Sequence, residues 1–195
     1  MTMIAKDGAA LETKDPLWIL NEYRAAEVHG AGAIMRMARL ADSTELSADL
    51  SRHLRDEATH AWLWTRAIKE MGGEIVEVEQ AYQTRLATYF GIPRSLTEFL
   101  ALTWASERRG VLQYTEHLGS PELTGLIQRT LRGILKDEHW HVRYINDELQ
   151  RRVRADRSVQ DIMDRALIAD ERAIGDMTAA ETAAPESATW PPKKP

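Results

Sequence analysis

Apolar residues recur along this chain at intervals of three and four, the spacing that places side chains on one face of an α-helix. The pattern predicts four long helices, which begin at Asp15-Pro16 and at about Ser47, Ser95 and Glu122. A fifth helix is predicted from Ser158 onward. No segment of any length shows the alternation typical of a β-strand. We therefore expect an all-α fold.

The connections between these segments indicate how the helices are arranged. The first and second helices are separated by a short turn, as are the third and fourth, so each pair is expected to form an antiparallel hairpin. The segment from Gly72 to Arg94 is long enough to run back along the bundle, and Glu77 to Phe90 within it is predicted to form a short helix. These lengths predict an up-down-down-up four-helix bundle with a long crossover between helices 2 and 3 and a fifth helix outside.

The ends of the chain differ in composition from its middle. Residues 1–14 have no clear periodicity and are predicted to be a flexible N-terminal arm. Residues 179–195 are rich in alanine, proline and polar residues and are predicted to be a disordered tail. The single helical domain is expected over residues 15–178.

Acidic residues and histidines interrupt the apolar faces in a pattern that occurs twice. Glu27 lies on the first helix, and the second helix carries D-E-A-T-H at residues 56–60. Glu107 lies on the third helix, and the fourth carries D-E-H-W-H at residues 137–141. Residues three apart on a helix share a face, so each E-x-x-H can present a carboxylate and an imidazole together. Glu22 is an alternative to Glu27, but it lies off the apolar face.

Four carboxylates directed into one core would repel each other and lose hydration, so this pattern requires compensating positive charge. Two divalent metal ions would supply it, and oxygen-rich ligation completed by imidazole suits iron or manganese better than structural zinc. The alternative without a metal site is a helical scaffold, which would have to bury four carboxylates without a cation.

The repeated pattern resembles the ligand set of the ferritin-like di-iron carboxylate superfamily, over roughly residues 17–150. The resemblance implies a di-metal site, with two iron ions or a manganese or mixed Mn/Fe pair, and six metal ligands: Glu27, Glu57, His60, Glu107, Glu138 and His141. It implies that Glu57 and Glu138 bridge the ions. It also implies that Asp56 and Asp137 hydrogen-bond the ligand histidines across the bundle.

Several other residues near these positions are candidates for additional functional groups. Tyr114 lies seven residues after Glu107 and is a candidate hydrogen-bond donor or electron relay, although a core tyrosine is the simpler interpretation. His53 lies one turn before Glu57 and is a candidate for an additional group near the site, although a partly exposed side chain is the simpler expectation, and whether His53 or His139 joins the site is left open. Three tryptophans flank ligand positions and either line a pocket or pack in the core: Trp64, Trp104 and Trp140.

Composition excludes several other kinds of site. The chain has no cysteine, which excludes disulfides, thiolate metal sites and iron–sulfur clusters. Its net charge of −5 argues against nucleic acid as the main partner. The sequence has neither a long apolar run nor an N-terminal signal pattern, so a cytoplasmic protein without a membrane span is expected.

The resemblance implies activation of O2 or peroxide, and it leaves several reactions open. The first hypothesis is an oxidase or oxygenase acting on a small-molecule substrate, with electrons from an external donor of the ferredoxin or flavin reductase type. The second is a ferroxidase, iron-storage or peroxide-scavenging protein. A hydroxylase of modified tRNA is a third, which the acidic charge disfavours. A homodimer is compatible with the enzyme hypothesis.

Overall fold

A computed structural model describes residues 16–78, 81–119 and 124–183 of the chain. Within these ranges the secondary structure is entirely helical: α1 (Pro16–Ala38), α2 (Thr44–Glu70), α3 (Tyr82–Phe90), α4 (Leu96–Leu118), α5 (Gly125–Ala155) and α6 (Ser158–Ala183). The all-α prediction is confirmed for this part of the chain. None of the described helices combines the length and the apolarity needed to cross a membrane.

Side-chain caps set the starts of three of these helices. The side chains of Ser43, Ser95 and Thr124 accept hydrogen bonds from the backbone N–H groups of Leu46, Glu98 and Ile127. Such bonds satisfy donors that the first helical turn leaves free. Helix α2 therefore begins three residues before the predicted Ser47. Helix α5 begins at Gly125 rather than at about Glu122, and residues 120–123 lie outside the described ranges.

Two apolar cores show the direction of each long helix. Core A joins the end of α1 and the start of α2 to the start of α4 and the end of α5, through residues that include Met37, Leu50, Leu100 and Leu149. Core B joins the opposite helix ends, through residues that include Leu20, Ile68, Tyr114 and Leu131. Helices α1 and α5 therefore run in one direction and α2 and α4 in the other, which confirms the up-down-down-up order.

The crossover and the last helix form an outer layer over core A. Helix α3 is shorter than predicted, since it begins at Tyr82 rather than at Glu77. It packs beside α6, whose Asp170 accepts a hydrogen bond from Tyr82 Oη at 2.7 Å. Arg109 of α4 forms a two-pronged ion pair with the same carboxylate, at 3.0 and 2.7 Å. This buried network joins α3, α4 and α6, so the fifth long helix is attached to the bundle by charge as well as by apolar packing.

Several predictions concern residues outside the described ranges. These are the N-cap role of Asp15, the N-terminal arm, and nearly all of the predicted tail. Helix α6 continues to Ala183, beyond the expected domain end at residue 178.

Candidate metal centre

The cluster of acidic residues and histidines lies between core A and core B, where the four long helices face one another. All six side chains predicted as metal ligands converge there, and His53 joins them. Their oxygen and nitrogen atoms form two sets that share Glu57, and within each set these atoms lie within 4.8 Å of one another. Because a metal–oxygen or metal–nitrogen bond is about 2.0–2.2 Å long, opposite ligands of one ion lie about 4.2 Å apart. The residues present therefore fit a pair of metal ions.

Pocket A is the set formed by Glu27, Glu57, His60 and Glu138, all of them buried. His60 Nδ1 lies 3.0 Å from Glu138 Oε1 and 3.5 Å from Glu27 Oε2. Helices α1, α2 and α5 contribute the residues of this set. Three carboxylates and one imidazole give it an oxygen-rich character.

Pocket B is the set formed by His53, Glu57, Glu107 and His141. His53 Nε2 lies 3.3 Å from Glu57 Oε1 and 3.5 Å from Glu107 Oε1. His141 Nδ1 lies 3.7 Å from Glu57 Oε1 and 3.9 Å from Glu107 Oε2. Two carboxylates and two imidazoles make this set richer in nitrogen than pocket A.

Glu57 and Glu138 both lie between the two pockets. Glu57 belongs to both sets. Glu138 directs Oε1 at His60 of pocket A and Oε2 at His141 of pocket B, 3.2 Å away. These positions are those that bridging carboxylates would need.

The histidine of each E-x-x-H motif lies close to the aspartate that precedes the other E-x-x-H motif, on the facing helix. His60 Nε2 lies 3.3 Å from Asp137 Oδ2, and His141 Nε2 lies 3.5 Å from Asp56 Oδ2. A carboxylate at Nε2 favours a proton on that nitrogen, which leaves Nδ1 directed at the centre as a potential ligand. The pair His60–Asp137 has the geometry of a hydrogen bond, whereas His141 Nε2 and Asp56 Oδ2 are close but make no hydrogen bond within the described residues. The Asp56 side chain is 6% exposed and that of Asp137 is 41% exposed, so the two aspartates differ in their contact with water.

The crowded carboxylates are strongly affected by burial. Loss of hydration raises the pKa of Glu57 well above its usual range, and repulsion from Glu107, Glu27 and Glu138 raises it further. Burial and the charge of Glu138 likewise raise the pKa of Glu107. These shifts show that the protein alone does not compensate the negative charge, as expected for a site that gains a cation.

The two ligand histidines respond to this environment in opposite ways. Burial lowers the pKa of His141 to about 3, and the neighbouring His53 contributes to the decrease. This imidazole is neutral, the form that binds metal. For His60, burial opposes protonation, but contacts with the carboxylates of Glu138 and Glu27 outweigh it and raise the pKa to about 11. A metal ion at pocket A would therefore replace a proton.

Two aromatic side chains hold Glu27 in place. Tyr114 Oη donates a hydrogen bond to Glu27 Oε1 at 2.5 Å, and Trp64 Nε1 donates to the same oxygen at 3.3 Å. Oε2 is left facing His60. Burial and the charge of Glu27 raise the pKa of Tyr114 well above its usual range, so the phenol stays protonated as a donor. Tyr114 thus lies beside the centre as well as within core B, and Trp64 has a polar role in addition to packing.

Gly30 provides the space that the Glu57 carboxylate occupies. It lies one turn after Glu27 on α1, and a Cβ atom added there would fall 2.0 Å from Glu57 Oε2. A side chain at this position would therefore force the Glu57 carboxylate to move. The glycine at the corresponding place on α4, Gly110, has no such neighbour within 4 Å.

The structure also shows the burial and contacts of the other candidate residues near the cluster. His53 is 0% exposed, so the expectation of a partly exposed side chain is wrong. Its spacing of four residues from Glu57 was the available sequence signal, because residues i and i+4 share a helix face. His139 is exposed and Glu22 belongs to neither set. Of the three tryptophans that flank ligand positions, two lie beneath arginine side chains: Trp104 under Arg108 and Trp140 under Arg52.

Comparison with known proteins supports the architecture. The structure is similar to that of the bacterioferritin-related protein from Bacteroides fragilis, described as a dodecameric thioferritin, with a TM-score of 0.58 and 19% sequence identity. The match covers 76% of this chain and 94% of that chain. No protein-family model matches the sequence, and no curated protein matches it. The chain therefore has the fold of the ferritin-like superfamily, with a buried Glu/His cluster consistent with a di-iron site.

Proposed function

We propose that this protein binds two iron ions at the Glu/His cluster and oxidises ferrous iron with dioxygen or peroxide. The observation that carries the proposal is the convergence of four carboxylates from four helices with His60 and His141 between two apolar cores. Burying these groups together is costly without a cation, and the raised pKa of Glu57 reflects that cost.

The protein's own residues would define what each ion meets. Glu27 and His60 would hold an ion in pocket A, while His141 and Glu107 would hold one in pocket B. Glu57 and Glu138 would contact both. Asp56 and Asp137 would keep the two imidazoles oriented through Nε2.

Two ferrous ions held by these residues would supply two electrons to dioxygen or peroxide. Two Fe(II) and two protons would convert dioxygen to hydrogen peroxide, or peroxide to two waters, and leave two Fe(III). The surrounding apolar cores limit access of bulk water, and Tyr114 and Trp64 hold the Glu27 carboxylate while the charge on the ions rises.

Two observations favour iron oxidation over the organic oxidation that the sequence suggested first. The structural neighbour is described as a thioferritin. In addition, two of the tryptophans that could have lined a substrate pocket pack against aromatic neighbours. Trp64 is fully buried and packs on Tyr23 at 5.0 Å between ring centroids, and Trp140 stacks on Tyr144 at 4.6 Å.

The test is an anaerobic titration of metal-free protein with Fe(II), followed by oxygen and then a large excess of Fe(II). Oxygen consumption that continues well past two irons per chain, with ferric product, is expected. The Glu57→Ala protein is the negative control, and Glu70→Ala, an exposed change on the same helix, is the matched control. Failure of the wild type to bind iron tightly would refute the proposal.

An oxidase or oxygenase acting on a small organic substrate is the second candidate. The observation that favours it is the additional imidazole of His53, because nitrogen-rich ligation suits an iron ion that stays bound as a cofactor. Such an enzyme would need an external electron donor. In the same titration, oxygen uptake would stop near two irons per chain and resume only when an organic substrate and a reductant are added.

A further inference from the structure

The two metal pockets differ in composition, and the difference has a functional consequence. We infer that His53 is a metal ligand that makes pocket B the resident iron site, while pocket A is where ferrous substrate iron binds, is oxidised and leaves. This inference rests on the proposed function. It assigns retention of the resident iron to pocket B and turnover of the substrate iron to pocket A.

The orientation of His53 is the main argument. Its side chain is 0% exposed, and Nδ1 lies 2.8 Å from Tyr144 Oη, where it can donate a hydrogen bond. Nε2 faces Glu57 and Glu107 at 3.3 and 3.5 Å. Yet Nε2 and the opposing Glu57 Oε1 make no hydrogen bond of acceptable geometry within the described residues. A buried imidazole nitrogen left without a hydrogen bond between two carboxylates is positioned as a metal ligand.

The ring of His53 is also held rigidly. It stacks on His141 with 3.6 Å between ring centroids and an interplanar angle of 22°. The ring of Tyr144 meets it edge-on at 5.7 Å. A ligand that is fixed before the metal arrives loses little conformational entropy on binding, which favours tight ligation.

Donor type separates the two pockets further. The set that forms pocket B has two imidazoles and two carboxylates, and Glu138 Oε2 also faces it, whereas pocket A has one imidazole and three carboxylates. With Glu138 shared, an ion in pocket B would have one nitrogen donor more than an ion in pocket A, and imidazole nitrogen is a ligand that suits iron. The iron ion in pocket B is therefore expected to dissociate more slowly.

Exposure of the supporting aspartates agrees with this assignment. Asp137, beside His60 of pocket A, has a 41% exposed side chain and can meet ions from solvent. Asp56, beside His141 of pocket B, is 6% exposed and is covered by Arg55, which lies 2.5 Å from its Oδ1. Pocket A is therefore the half of the cluster whose supporting aspartate borders water, although among the ligand carboxylates Glu107 of pocket B is the most exposed, at 10%.

The test is an anaerobic titration of the full-length metal-free protein with Co(II), followed by its visible absorption and by equilibrium dialysis. The wild type is expected to bind one ion tightly and a second more weakly. His53→Leu removes the nitrogen but keeps apolar volume, and it should weaken the tight site by at least about tenfold while the weak site is retained. His60→Leu should abolish the weak site and leave the tight one.

Tyr144→Phe provides an independent variant that keeps the buried ring and removes only the hydroxyl beside His53. It should weaken the tight site by about tenfold, and it carries the test if circular dichroism shows that His53→Leu does not fold. Unchanged tight binding in both folded variants would overturn the inference. Two equal sites in a wild type that still oxidises excess Fe(II) would overturn it while the proposed function stands. Absence of Co(II) and Fe(II) binding would overturn both.

Discussion

The hairpin α1–α2 and the hairpin α4–α5 carry the same ligand motif, yet their surroundings differ at the positions next to it. Glu57 and His60 recur 81 residues later as Glu138 and His141, and Glu27 recurs 80 residues later as Glu107. The repeat accounts for two metal positions. The departures from it make those positions chemically different.

At three positions one copy of the repeat has a side chain with a polar group where the other copy has isoleucine. His53 corresponds to Ile134, since each lies four residues before its E-x-x-H glutamate. Trp64 and Tyr114 correspond in the same way to Ile145 and Ile34. All three isoleucines are fully buried in the apolar cores. Each polar member of these pairs contacts the cluster, so the asymmetry is concentrated at the metal centre.

The comparison teaches that a symmetric ligand set can support an asymmetric centre. His53 adds a nitrogen to pocket B, while Tyr114 and Trp64 add hydrogen bonds to Glu27 of pocket A. Substitutions at matched positions of the two hairpins test this contrast.

Glu57→Ala removes the carboxylate that both pockets share, so it should eliminate the two metal ions together. Metal content measured by mass spectrometry is expected to fall to background, while Glu70→Ala retains the wild-type content. The raised pKa of Glu57 means that burying this charged carboxylate costs folding free energy at neutral pH. Metal-free Glu57→Ala should therefore resist urea at least as well as the metal-free wild type, and marked destabilisation would contradict this account.

Gly30→Ala and Gly110→Ala compare the same position in the two hairpins. The new Cβ of Gly30→Ala would lie 2.0 Å from Glu57 Oε2, so it should displace that carboxylate and weaken binding of both ions by more than tenfold. Gly110→Ala meets no neighbour and should keep wild-type affinity, with a gain of up to about 1 kcal/mol in helix stability. Calorimetric metal titration measures both, and equal effects would show that Gly30 has no special role.

Asp56→Asn and Asp137→Asn compare the two aspartates that orient the ligand histidines. Asp56→Asn should weaken binding at pocket B by about 10–100-fold, because the amide no longer offers a charged acceptor to His141. Asp137→Asn should weaken pocket A less, since water already competes for that exposed carboxylate. Co(II) titration separates the two sites, and a larger loss in Asp137→Asn would reverse the predicted order.

Tyr114→Phe removes the hydroxyl that holds Glu27 and keeps the ring in core B. Loss of a hydrogen bond to a carboxylate costs about 1.5 kcal/mol, or about tenfold in affinity at pocket A. Tyr23→Phe is the matched control, because its buried hydroxyl has no hydrogen-bond partner among the described residues. Stopped-flow absorbance would follow Fe(II) oxidation in both, and identical rates and affinities would leave Tyr114 with a packing role only.

The sequence alone was enough to predict the fold class, the helix order and the six candidate ligands. It did so because apolar periodicity specifies helices, and because carboxylates on an apolar face are too costly to bury without a partner. The lengths of the connections then distinguished two antiparallel hairpins from a long crossover. These are local properties that each segment carries before it meets its neighbours.

Which further residues join the cluster is visible only in the tertiary structure. His53 shares a helix face with Glu57, but its burial depends on Tyr144 and His141 of another helix. Tyr114 reaches Glu27 across the bundle, 87 residues away in sequence. Helix rotation and helix–helix distance set such contacts, and no single helix specifies either of them. The pattern along the chain located the candidate ligands, and the packing between helices made the two pockets unequal.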